Sequence, residues 1–159
     1  MKEAYLDYYN EWKESGEAFV PMSADLMGDT YEEWLNKKIM CETIAPEGKV
    51  TAHTYFLFDS QENIVGSINI RHYLNEYLAK IGGHIGYGIR PSQRKKGYAT
   101  KMLRLALPLA KKLGINRVLI SCDKNNIGSS KTIINNGGIL ENEIEDNNSI
   151  IQRYWIELN

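Results

Sequence analysis

The sequence predicts an α/β fold of the α+β type: a mixed, mostly antiparallel central sheet flanked by helices. Three observations carry this. The chain opens on two segments with apolar residues at helical spacing, continues through β-rich runs broken by short polar stretches, and sets a long amphipathic helix between two groups of strands. Its 159 residues, 43% hydrophobic and 25% charged, fit one compact domain over residues 1–159 and differ from the composition of disordered chains.

Residues 2 to 14 place Tyr5, Tyr8, Tyr9 and Trp12 at helical spacing, with Gly16 where a helix would stop. Thr30 and Glu33 have capping-box spacing and start a second helix carrying Trp34, Leu35 and Ile39. Between 52 and 74, HTYFLFD and NIVGSINIRHYL flank the polar break Ser60 to Glu62 and predict an antiparallel hairpin. HIGYGI, residues 84 to 89, alternates Ile85, Tyr87 and Ile89 on one face with His84, Gly86 and Gly88 on the other. Two glycines on one strand face predict a bulge or the close approach of another backbone or a ligand.

From Ala99 to Leu113 the positions Met102, Leu103, Ala106, Leu109 and Ala110 keep helical spacing as far as Gly114, with a kink expected at Pro108. RVLISC, 117 to 122, reads as a buried strand, and Asp123 to Asn126 as the entry to a helix over 127 to 136 that Gly137-Gly138 ends. ILENEI and IIQRYWIEL are the last strands, joined by the turn EDNNS.

A formal net charge of -1 supplies no global field toward nucleic acid or a membrane, and no apolar run approaches the ~20 residues of a membrane helix. The opening residues lack the basic and apolar regions of a secretory signal. Cys41 and Cys122 lie far apart without CxxC spacing, as reduced thiols do, so the expected location is cytoplasmic. His, Cys and carboxylate residues show no metal-ligand spacing, so no metal is expected. Residues 1–48 hold eleven acidic and four basic residues, compatible with a cationic partner and equally with a solvated acidic face.

The most informative stretch is Arg90 to Arg104, with six basic residues, Arg90, Arg94, Lys95, Lys96, Lys101 and Arg104, and no acidic one. It lies between a strand and a helix, and Gly97 and Ala99 keep side-chain bulk from the helix entry. The first N–H groups of a helix lack intrahelical partners and sit at the positive end of its dipole, which suits them to a pyrophosphate. Arg94, Lys95 and Lys96 add neutralising charge. Nucleic-acid binding through this segment is a competing use of the same charges.

Arg94-Lys95-Lys96-Gly97-Tyr98-Ala99 resembles the pyrophosphate signature of the GNAT superfamily, Gln or Arg, any two, Gly, any, Gly or Ala. Asn126, with Gly137 eleven residues on, is similar to the second signature, in which an Asn at a helix entry contacts the pantetheine arm. The resemblance implies a GNAT fold with the sheet splayed between its fourth and fifth strands, acetyl-CoA as cosubstrate, and acetyl transfer to a primary amine. HIGYGI would be the fourth strand and RVLISC the fifth, with residues 1–48 giving the acceptor-binding helices. The implied coenzyme set is Ile89, Arg90, Arg94, Lys95, Lys96, Gly97, Tyr98, Ala99, Thr100, Asn126 and Ser129. Within the superfamily the chain resembles a bacterial group of predicted acetyltransferases whose acceptors are unassigned. Many relatives dimerise, which makes a homodimer an expectation as well.

Two positions depart from the pattern. Ile133 stands where relatives often carry a Tyr acting as general acid, and Gly138 replaces the aromatic that usually follows the closing Gly. A noncatalytic CoA-binding module is therefore the alternative reading.

Acyl transfer requires a neutral amine, yet a lysine-type amine with pKa ~10.4 is only roughly 0.04% neutral at pH 7. His84, with an ordinary imidazole pKa, is the first candidate base, and His72, in the polar run closing the hairpin, the second. Tyr87 is a candidate proton donor near the thioester, with Tyr98 and Tyr154 behind it. A backbone N–H freed in the 86 to 89 stretch would hold the oxyanion. Cys122 reads as a buried, inert thiol, so direct attack in a ternary complex is expected over a covalent intermediate.

Overall fold

The structure, a computed structural model, describes residues 1–159. Helix α1 (Lys2–Ser15) ends on Gly16 in the left-handed conformation, and α2 (Tyr31–Cys41) begins on a complete Thr30/Glu33 capping box. Both helix signals act as the sequence predicts. Strands β1 (Ala52–Phe58), β2 (Ile64–Arg71) and β3 (Ile85–Ile89) form one antiparallel sheet in that order. Helix α3 (Tyr98–Lys112) crosses to β4 (Arg117–Asp123), α4 (Ile127–Asn135) follows, and β5 (Ile139–Asp146) and β6 (Ser149–Glu157) complete a second antiparallel sheet in the order β4-β6-β5. Pro108 lies inside α3, which runs as one uninterrupted helix.

The two sheets meet at one point. The His84 backbone N–H donates to the Leu119 carbonyl at 2.7 Å, and beyond it β3 and β4 diverge in parallel toward the starts of α3 and α4. The splay therefore falls between the third and fourth of six strands, one strand earlier than the resemblance implied, because residues 1–51 contribute helices and turns but no strand.

Two apolar clusters hold this frame. Ile68, Ile70, Ile85, Met102, Leu103, Val118, Ile120, Ile133 and Tyr154 pack between the sheets and α3 and α4. On the other face of the first sheet, Tyr5, Tyr8 and Trp12 of α1 close over Trp34, Ile64 and Phe56; Tyr5 stacks on Trp34 at 4.5 Å and Phe19 on Trp12 at 5.0 Å. Each such ring buried contributes about 1.5–3 kcal/mol. Polar ends are satisfied as well: the Tyr5 hydroxyl donates to the Ala24 carbonyl and the Tyr8 hydroxyl meets Ser67 Oγ at 2.8 Å. Helix α1 is thereby fixed to β2, and the loop after it is laid across β3.

That loop explains the glycines of β3. Pairing with β2 runs without a break from Ile85 to Ile89, so there is no bulge. A methyl group at Gly88 would instead overlap the Val20 carbonyl, and one at Gly86 would sit 3.1 Å from Arg71 Nη2. Close backbone approach is the reason for both. No helix is long and apolar enough to cross a membrane.

Candidate functional site at the splayed strands

Between β3, the start of α3 and the start of α4 lies a cavity of about 850 Å³, within the range of small-molecule sites. Gly97 forms its head. Its φ of 81° is left-handed, a conformation costly for other residues, and a Cβ there would meet nothing within 4 Å. The backbone N–H groups of Tyr98, Ala99 and Thr100 have no protein acceptor, while Lys101 N–H already bonds the Gly97 carbonyl. Three free donors thus face the cavity at the positive end of α3.

Along β3 the hydrogen bonds from Arg71 N–H to the His84 carbonyl and from Arg90 N–H to the Val65 carbonyl put the even-numbered residues on the β2 ladder. Alternation turns the N–H groups of Tyr87 and Ile89 toward the gap. The far wall is α4, where Asn126 caps the helix by accepting from Ser129 N–H at 3.1 Å. The Tyr87 hydroxyl reaches across to Ser129 Oγ at 2.8 Å. Burial pushes the Tyr87 phenol up to about 12, so it stays protonated at neutral pH and suits a donor.

Of the predicted coenzyme residues, Ile89, Arg94, Lys95, Gly97, Tyr98, Ala99, Thr100, Asn126 and Ser129 all line this cavity. Lys96 does not; its Nζ donates to Gln93 Oε1 at 3.0 Å. Arg90 is a correction. Its buried guanidinium binds Asp7 at 2.9 Å, Glu11 and the Ile64 carbonyl, anchoring α1 to the end of β3 and turning away from the cavity. Burial alone would lower its pKa, but the hydrogen bonds to Glu11 and Asp7 raise it. Arg94 lines the cavity, yet both its Nη atoms grip the Glu17 carboxylate and its guanidinium lies 5.3 Å over the Trp12 ring.

Both histidine candidates are displaced. His84 Nδ1 accepts the Leu119 N–H at 2.9 Å, which puts the ring proton on Nε2 and leaves no lone pair for an amine. Burial, helped by Arg71, drops its pKa to about 4. His84 pins the two sheets together, and a pin made of the base's own lone pair cannot also take a proton. His72 Nε2 faces His53 Nδ1 at 2.7 Å, His53 in turn lies 3.5 Å from Glu42, and none of the three lines the cavity. Glu17, already paired, is the one carboxylate on its wall.

The other expectations sort by burial. Cys122 is buried in the main core with its thiol pKa pushed up by desolvation, as an inert residue is. Tyr154 is buried and donates to Gln152 Oε1, away from the cavity. Ile133 is wholly buried, and a Cβ at Gly138 would collide with its side chain and carbonyl, so the two departures from the family pattern compensate each other. Sequence reading missed Trp12, Glu17 and Val20, which reach the cavity only through the docking of α1, and Lys131, one turn into α4 beyond the signature. The i, i+4 spacing of Ile127 and Lys131 was the available signal for the last.

A family model described as an acetyltransferase (GNAT) domain matches residues 3–138. Comparison with curated protein sequences finds no significant match. Among solved structures, a chimera of spermidine N-acetyltransferase SpeG from Vibrio cholerae with hSSAT is 17% identical, covers 99% of this chain and 93% of its own, and superposes with a TM-score of 0.68. A dodecameric structure of the Vibrio cholerae spermidine N-acetyltransferase is 17% identical over 99% and 90%, with a TM-score of 0.67. A provisionally assigned GnaT-family acetyltransferase from Bordetella pertussis is 13% identical over 96% and 89%, with a TM-score of 0.68. At such identities the likeness is one of fold.

Proposed function

We infer the reaction from the premise that this chain belongs to the GNAT acetyltransferase family: it is an acetyl-CoA-dependent N-acetyltransferase that passes the acetyl group to a primary amine by direct attack in a ternary complex. The observation that carries this reading is the head of α3, where three unpaired N–H groups behind an unobstructed Gly97 open into the cavity between β3 and β4. These donors hold the diphosphate, with Lys95 and Lys131 supplying charge that no internal carboxylate neutralises. The pantetheine arm runs along the free edge of β3, and the Tyr87 or Ile89 N–H receives the carbonyl oxygen as it gains charge. The amine nitrogen bonds to the acetyl carbon, the C–S bond breaks, and the thiolate takes a proton from the Tyr87 hydroxyl on the cavity wall.

With His84 and His72 both committed, the amine loses its proton to water rather than to a side chain. All 159 residues act as one domain, since β6 joins β4 to the chain's last hairpin. Two free cysteines fit a reducing, cytoplasmic setting.

The test is release of free CoA from acetyl-CoA across a panel of amines with the acetylated product identified by mass. Amine-dependent release is expected, and saturable CoA binding with no turnover on any amine would favour the noncatalytic module. Gly97→Trp is expected to weaken acetyl-CoA binding at least about tenfold in a folded protein, because the indole would fill the space before the α3 donors. Unchanged affinity would remove the proposed cradle.

A further inference from the structure

The excess of acidic residues in the first 48 positions suggested a cationic acceptor, but six of the eleven are committed to partners inside the fold. Asp7 and Glu11 bind Arg90, Glu17 binds Arg94, Asp29 binds Lys37, Glu32 binds Lys2, and Glu33 closes its own helix cap. Arg71 is half-buried at the end of β2, beside the closed end of the splay, and pairs with no carboxylate. Arg90, Arg94 and Arg153, the other guanidinium groups laid against the fold, each have one. Burial lowers its pKa, and no carboxylate stands near enough to counter this.

The guanidinium is held but not satisfied. Nη1 donates to the Gly82 carbonyl at 2.8 Å and to the Gly83 carbonyl at 3.1 Å, which fixes the plane of the group. Of its five N–H donors, those on Nη2 and Nε have no protein acceptor. Nη2 lies against Gly86, where a Cβ would stand 3.1 Å from it and where Pro21 bounds the other side. Glycine there keeps Nη2 uncovered. Gly86 is the residue before Tyr87, and Tyr87 and Gly88 already form the wall of the cavity. A preset fork of donors therefore sits within one strand residue of the place where the acetyl group must lie if the diphosphate is at α3.

We propose that Arg71 is the acceptor's anchor, binding a carboxylate through Nη2 and Nε, and that the acceptor is a small amino acid whose amine lies a few atoms from that carboxylate. This rests on the transferase reading above and narrows it. A planar carboxylate matches the guanidinium fork in a way that a second ammonium group does not, and a polyamine would bring a like charge to a cation that no carboxylate neutralises.

The test compares free amino acids with their decarboxylated amines and with spermidine, using CoA release at fixed acetyl-CoA. The amino acids should exceed their decarboxylated partners by about tenfold or more in kcat/KM, since the site would otherwise hold unpaired donors. Arg71→Gln should raise KM for the amino acid about 10–100-fold, spare KM for acetyl-CoA, and leave the decarboxylated amine unaffected; Arg71→Lys should recover part of the loss. Gly86→Ala, which crowds Nη2 without removing it, should raise the same KM and stands in if Arg71→Gln does not fold. Equal use of both acceptor types, preference for spermidine, or a parallel loss on all acceptors would overturn the assignment. Where no amine turns over at all, the transferase reading fails separately, and calorimetry decides this one. Amino-acid binding to the CoA complex that Arg71→Gln abolishes upholds it; absence of binding ends it.

Discussion

At the residue scale, His84 shows how one hydrogen bond changes a role. An imidazole on a strand next to a gap reads as a base, but Nδ1 is spent on Leu119 N–H, and protonation would break the link between the sheets. The folded-state pKa, about 4, lies below the ordinary 6.5. Between those values the unfolded chain binds more protons than the folded one, so stability must fall as pH drops from about 6.5 toward 4. A depression of that size corresponds to roughly 3 kcal/mol over the full window. We expect urea midpoints measured at pH 7 and pH 5 to separate further for the protein than for His84→Asn, whose amide keeps no titrating group. Activity should rise toward the pKa of the acceptor amine with no inflection near 6.5. Parallel midpoint shifts, or an inflection near 6.5 that His84→Asn abolishes, would return the histidine to the role of base.

At the scale of elements, what was legible was whatever short-range chemistry determines. Gly16, the Thr30/Glu33 box, the Ser60–Glu62 turn and the apolar spacing of α3 are local signals, and the chain obeys each. The α3 cradle was legible for the same reason, because a glycine and the N–H groups after it are neighbours in sequence. Arg90 was not. It sits four residues from Arg94 in the same basic run, and only the docking of α1 separates a strut to Asp7 and Glu11 from a cavity-lining cation. Arg90→Met should therefore destabilise by about 2–3 kcal/mol by leaving Glu11 without its cation and the Ile64 carbonyl without its donor, lowering Tm by roughly 5–10 °C. Acetyl-CoA affinity of the folded variant should stay within about twofold. A large affinity loss at unchanged Tm would put Arg90 back among the coenzyme ligands.

At the scale of the whole molecule, the fold is two three-stranded sheets hinged at His84 and Leu119 and spread apart at α3 and α4. Around the cavity, Tyr87 to Ser129 and Asn136 Nδ2 to the Thr100 carbonyl are the polar ties between the arms, so a ligand bound to both arms replaces missing sheet pairing. Stabilisation should then be larger than what either arm alone would gain. At a concentration about 100 times Kd, acetyl-CoA should add roughly 2.7 kcal/mol by mass action, a Tm rise of about 5–10 °C. The gain must reach both sheets: amide exchange should slow in β4 as well as in β3. Adenosine diphosphate, which can fill only the α3 end, should protect the α3 entry and leave β4 unchanged. If the diphosphate alone slowed β4 as much as the thioester did, the arms would already be one rigid unit, and the gap would not be where the arm of the coenzyme takes the place of a strand.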